Sequence, residues 1–147
     1  MITTYKHKGV TYAIFDGYWT LEDIAENPNM IFVFGDNLQR RGKGGQAIIR
    51  DIFNTIGLVS KKEPTNAELA FFYDHEYGQN CYYINNDVQR IKAIAQANEM
   101  TIVLAAGGYG TGLAMLDKTA PRTFSYMSRL LMDEFGFDNV AALQLYK

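Results

Sequence analysis

The sequence predicts an α/β protein, a sheet with helices on its faces. Three observations carry this. Strand-like and helix-like stretches alternate along the chain, two of the strand-like stretches are apolar at every position, and glycine-rich loops follow both. At 147 residues and 48% hydrophobic, the chain fits a single domain over 1–147, long enough to bury a core without staples.

Element by element, "GVTYAIF" alternates β-branched and aromatic residues as a strand does. Thr20 then caps a short helix in "TLEDIAENP", which Pro28 ends. "MIFVFG" (30–35) reads as a strand covered on both faces. From Gly45 the apolar positions Ala47, Ile48, Ile49, Ile52, Phe53 and Ile56 recur at helical spacing, and Gly57 stands where a left-handed cap belongs. Residues 58–84 are harder to parse: Pro64 and Thr65 mark a turn, and "NAELAFF" fits a helical turn or a strand. Val88, Ile91, Ile94 and Ala95 share a helix face, and "MTIVLAA" (100–106) is a second unbroken apolar strand. Thr119 and Pro121 open a helix that stops at Gly136, and "NVAALQLY" is expected to close the chain as a strand.

Charge and composition narrow the partners. A formal charge of −2 argues against general polyanion binding, so any phosphate site must be local. The lone Cys81 allows no intrachain disulfide and is read as a buried thiol; the expected compartment is reducing. No apolar leader or membrane-length stretch is present, so the expectation is a cytoplasmic protein without a membrane partner. His7 and His75 have no partner at metal-ligand spacing; neither a metal nor a cofactor is expected.

The two glycine loops are the candidate site. "GKGG" (42–45) and "GGYGTG" (107–112) each follow an apolar strand, where open α/β sheets bind ligands. Glycines there allow several backbone N–H groups to face one anion, and Thr111 adds a hydroxyl; two facing nests suit a diphosphate. The alternative is that the glycines only make tight turns. Lys43 is followed by Gly44 rather than by Gly-Lys-Ser/Thr order, so a P-loop does not fit, and residues 36–41 intervene where a dinucleotide fingerprint would begin at once. Asp36 is the candidate general base, beside Asn37; the alternative is an Asp holding its own turn. Arg40, Arg41 and Lys43 either meet a phosphate or are solvated loop charges. "YDHEYGQNCYY" (73–83) reads as a lid, a stacking wall or a plain surface segment.

"IFVFGDNLQRRGKGGQAIIRDIFNTIG" and "TIVLAAGGYGTGLAMLDKTAPRTFSYM" resemble the two ligand loops of macro domains. The FGDNL…RRGKGGQA…GTGLA pattern is also similar to that of a family of small phage and bacterial proteins, which would place this chain in a host cytoplasm if phage-encoded. The resemblance implies a three-layer α/β/α domain with a macro-like mixed sheet. It further implies a small-molecule nucleotide ligand, ADP-ribose or a relative, and an activity in some members that hydrolyses ADP-ribosyl or related ester bonds. By position it places Asn37 near the distal ribose, Gly44 and Gly45 against that ribose and the phosphates, and Gly108, Tyr109 and Gly110 in the phosphate loop with Thr111 and Gly112. Tyr109 takes the place of the aromatic that packs on the ribose, and Asp16 that of the Asp accepting from the adenine amino group. The sequence departs from the macro pattern in having "FGDN" for Asn-Ala-Ala-Asn and three cations in "QRRGK". The rival expectation is a nucleic-acid-associated or protein-interaction factor that uses Arg40, Arg41 and Lys43.

Overall fold

The computed structural model describes residues 2–145. It is an α/β fold built on a five-stranded mixed sheet in the order β1-β2-β5-β3-β4. The strands are β1 (Ile2–His7), β2 (Val10–Phe15), β3 (Met30–Asn37), β4 (Thr55–Lys61) and β5 (Thr101–Ala105). β1 and β2 form an antiparallel hairpin, and the other pairings are parallel. The carboxyl ends of β2, β5, β3 and β4 therefore share one edge of the sheet. β3 runs first to β4 on one side, and the chain then returns to insert β5 on the other, so the glycine loops after β3 and β5 are neighbours.

The helices are α1 (Leu21–Ala25), α2 (Tyr77–Ala97), α3 (Leu116–Thr119), α4 (Pro121–Phe135) and α5 (Asn139–Leu145). Alternation along β2 sends Tyr12 and Phe15 to opposite faces. Tyr12 packs on Phe135 of α4, with ring centroids 5.4 Å apart, and α4 lies beside α2. Phe15, with Phe32 of β3, packs on Trp19 at 5.8 and 5.7 Å on the other face, beside α1 and the 45–49 turn. Both faces of the sheet are covered, which is why residues 30–34 of β3 and 102–105 of β5 are apolar. Thr20 and Asp23 form a reciprocal cap on α1, and Gly136 closes α4 in the left-handed conformation, both as the sequence predicts.

Four local expectations fail. The 45–57 stretch is only a 3-10 turn, Gly45–Ile49, because Gly45 and Asp51 take positive φ and Arg50 is extended. Gly57 is consequently not a helix cap but a residue of β4. Thr119 does not cap α4; it ends α3, and Ala120 stands at the cap position before Pro121. The final strand is a helix, α5, whose first turn is held by Asp138 accepting from the Ala141 N–H. Tyr146 lies outside the described residues.

The 58–84 segment resolves into β4, two 3-10 turns (Glu68–Ala70 and Asp74–Glu76) and the start of α2. Its helical part was obscured because Asn80 and Asp87 interrupt the apolar face while being buried on it. The 73–83 stretch is no lid. Asp74 accepts from the N–H groups of Arg122 and Thr123, fastening the segment to the start of α4.

Candidate functional site

The sheet edge gathers Asp16 after β2, residues 36–45 after β3, Lys61 and the following turn after β4, and residues 106–112 after β5. Gln46 joins the two glycine loops. Its Oε1 accepts from the Gly35 N–H at 2.8 Å and its Nε2 donates to the Gly108 carbonyl at 3.1 Å, while its own carbonyl accepts from the Trp19 indole at 2.9 Å. A Cβ on Gly44 would stand 3.4 Å from Leu113 Cδ1, and one on Gly42 would stand 3.1 Å from Pro64 Cβ, so the first loop touches both neighbouring segments. Among the described residues, nothing accepts from the backbone N–H groups of Lys43, Gly44, Gly45, Thr111 or Gly112.

Beneath the first loop lies a lock of two carboxylates and two guanidiniums. The Asp36 side chain is 2% exposed; Arg50 donates to it at 2.5 Å and Arg40 at 3.2 Å, and the Asn37 N–H donates at 2.8 Å. Arg40 also makes a bidentate pair with buried Asp87, at 2.9 and 2.7 Å. Arg50 further donates to the carbonyls of Gly42 and Arg41 and lies 5.0 Å over the Phe34 ring. Both Asp36 oxygens are thus engaged, which corrects its expected role as general base: it anchors the loop. Arg40, expected to meet a phosphate, is likewise spent on this lock. Arg50, Asp87 and Gln46 are the residues sequence reasoning missed. Arg50 and Asp87 could have been flagged as charges interrupting apolar helical patterns, but nothing local named their partners.

The remaining predicted residues divide. Asn37 is buried; its Nδ2 donates to the Arg41 carbonyl, while no described residue donates to its Oδ1. Arg41 and Lys43 are exposed, with Arg41 donating to Gln39 and Lys43 3.6 Å from exposed Asp51. Gly44 and Gly45 are exposed, as are Gly112 and, in part, Thr111. Gly108 and Gly110 are buried, and a Cβ on Gly110 would meet Met127 Cε of α4 at 2.7 Å. Tyr109 is the clearest correction. It is 2% exposed, its hydroxyl donates to the Val33 carbonyl and accepts from the Ala105 N–H, and burial pushes its pKa up. Its ring stands in the core and cannot pack on a ribose. Of the second loop, Gly107, Thr111 and Gly112 reach the surface, while Gly108, Tyr109 and Gly110 are buried.

Asp16 lines an open cleft of about 450 Å³ with Tyr5, Ile14, Ala106 and Phe137, a largely apolar wall that also carries Asp138. A second cleft, about 370 Å³, lies between α2 and α4, lined by Tyr77, Arg122, Ser125 and Arg129. No described helix is long and apolar enough to cross a membrane. Residues 14–130 match a profile described as "Family of unknown function (DUF7831)", and the chain belongs to that family. No curated protein and no solved structure matches it.

Proposed function

We propose that this chain binds ADP-ribose or a related nucleotide diphosphate across the carboxyl ends of β3 and β5. One observation carries the reading. Two glycine loops on adjacent parallel strands, tied by Gln46, carry backbone N–H groups that no part of the described chain uses. Such groups stabilise an anion without a net positive surface, which suits a chain of charge −2. In this reading the diphosphate lies on residues 43–45 and 111–112, and Asn37, with its Oδ1 buried and unpaired, supports the loop beneath the ribose. The base enters the apolar cleft beside Asp16. The apolar lining of that cleft suits the face of a purine, and its carboxylates suit an exocyclic amino group.

A hydrolytic version, cleaving an ADP-ribosyl or phosphoester bond, would rely on a water held by Asn37, because Asp36 is committed to its arginines. The rival, a nucleic-acid or protein-interaction factor, keeps only Arg41 and Lys43 of its three cations. Calorimetric titration with ADP-ribose and with a short oligonucleotide at two salt concentrations tests the choice. Fluorescence of Trp19, the sole tryptophan, reports on the loop its indole supports. A saturable ADP-ribose isotherm with little salt dependence is expected. A flat one beside salt-sensitive oligonucleotide binding would replace this reading with the rival.

A further inference from the structure

Lys61, the last residue of β4, is a buried cation without an anion. The residue is 7% exposed, yet no described carboxylate lies within salt-bridge distance of it. Its Nζ donates to two neutral carbonyls, Thr65 at 2.8 Å and Leu113 at 3.3 Å, and stands 4.5 Å over the Phe71 ring. An ammonium carries three protons, and these contacts use two. Burial holds its pKa below the usual lysine value. An uncompensated buried charge is costly to a fold, and packed apolar residues replace such charges at little loss.

The position of this charge accounts for the cost. Lys61 is in register with Asn37 across the β3–β4 pair. Thr65 follows Pro64, against which Gly42 packs, and Leu113 is the residue that Gly44 faces. The ammonium therefore joins the turn after β4 to the end of the loop after β5, the two segments against which the 42–45 loop packs. The segments around it carry the unused N–H groups of Lys43, Gly44 and Gly112.

We infer that Lys61 is the charged member of a phosphate-binding site at this three-segment junction, taking one phosphoryl group of a diphosphate while the loop N–H groups take the rest. The inference rests on the nucleotide reading for its natural ligand, but its chemistry is that of a diphosphate alone. A charge-assisted bond in a partly dry site discriminates more than the exposed Arg41 and Lys43 can.

The test compares wild type, Lys61→Met and Arg129→Ala, titrated with ADP-ribose and with inorganic pyrophosphate. Methionine keeps the stem and places a thioether over Phe71, and Arg129→Ala removes one positive charge at the separate α2/α4 cleft. Lys61→Met is expected to melt at or above the wild-type temperature while binding both ligands at least about tenfold more weakly; Arg129→Ala binds as wild type. Equal binding by Lys61→Met would make Lys61 a purely structural tie and overturn the inference, leaving the nucleotide reading intact. Pyrophosphate binding that is lost in Lys61→Met, beside a flat ADP-ribose isotherm, would sustain the anion site and discard the nucleotide. Wild type that binds neither sinks both. Should Lys61→Met fail to fold, the Nζ resonance of Lys61 in ¹⁵N-labelled wild type decides: a saturable shift with pyrophosphate is expected, and an unmoved resonance at saturation refutes the site.

Discussion

Replacing Gly57 by alanine probes whether Asp36 is the anchor of the 36–45 loop. Gly57 lies in β4 opposite Phe34, and a Cβ there would stand 2.1 Å from Asp36 Oδ2 and 2.7 Å from its Cβ and Cγ. To reach even 3.0 Å, the shortest separation real Cβ atoms tolerate, the carboxylate must retreat by about 0.9 Å (3.0 − 2.1). That retreat breaks or strains its bonds from Arg50 at 2.5 Å and Arg40 at 3.2 Å. Overpacking costs about 1–3 kcal/mol, and one charge-assisted bond lost at a buried carboxylate costs about 1.5–3 kcal/mol, so Gly57→Ala is expected to lose about 3–5 kcal/mol. At roughly 2–4 °C per kcal/mol for a chain near this size, the melting temperature falls by about 6–20 °C. Urea denaturation of Gly57→Ala, Asp36→Ala and the double variant measures the coupling. In the Asp36→Ala background the carboxylate is gone but its Cβ remains 2.7 Å from the new methyl group, so Gly57→Ala is expected to keep an overpacking cost of about 1–2 kcal/mol and to lose the part that came from the broken arginine bonds. Equal costs in the two backgrounds would refute the lock.

Further outcomes follow from the same geometry. Gly44 has φ −80° and room for a side chain beside Leu113, so Gly44→Glu is expected to fold as wild type yet bind ADP-ribose about 30- to 1000-fold more weakly by calorimetry, from about 2–4 kcal/mol of lost and repelled anion contacts. Gly45 and Gly110 are poorer probes because their φ values are +57° and +94°. Gly110→Ala is expected to lose about 2–4 kcal/mol of stability in thermal melts, the left-handed backbone and the Met127 contact each contributing. The Lys92 ammonium, bonded to Glu134 between α2 and α4, holds the Glu134 carboxyl below its ordinary value of 4.5. A depressed carboxylate stabilises the fold above its unfolded pKa and loses that contribution as pH falls through the folded one. The cost of Glu134→Gln, at most about 1 kcal/mol near neutrality for this partly exposed pair, should therefore shrink as pH is lowered from about 4.5 in denaturation series. A cost independent of pH would count against the pair.

What the sequence determined by itself is what neighbours along the chain decide. Unbroken apolar runs named β3 and β5 as covered strands, Thr20 and Pro121 with Gly136 marked helix ends, and the glycine loops fell at strand ends. Each of these signals acts within a few residues, through backbone hydrogen bonds, side-chain periodicity or permitted φ. The tertiary structure alone decided the rest. Inserting β5 beside β3 made the two loops neighbours, and it carried Tyr109 into the core under Val33 instead of onto a ligand. Asp36 became an anchor because Arg50 and, through Arg40, Asp87 close on it from distant positions, and the stretch whose spacing reads as helix breaks at Gly45 and Asp51, which take positive φ. Lys61 shows the same limit: an ordinary strand-end lysine in sequence, it becomes a buried cation only when residues 65, 71 and 113 fold over it. Burial and ion pairing depend on chain closure over long loops, and local propensity carries no term for that.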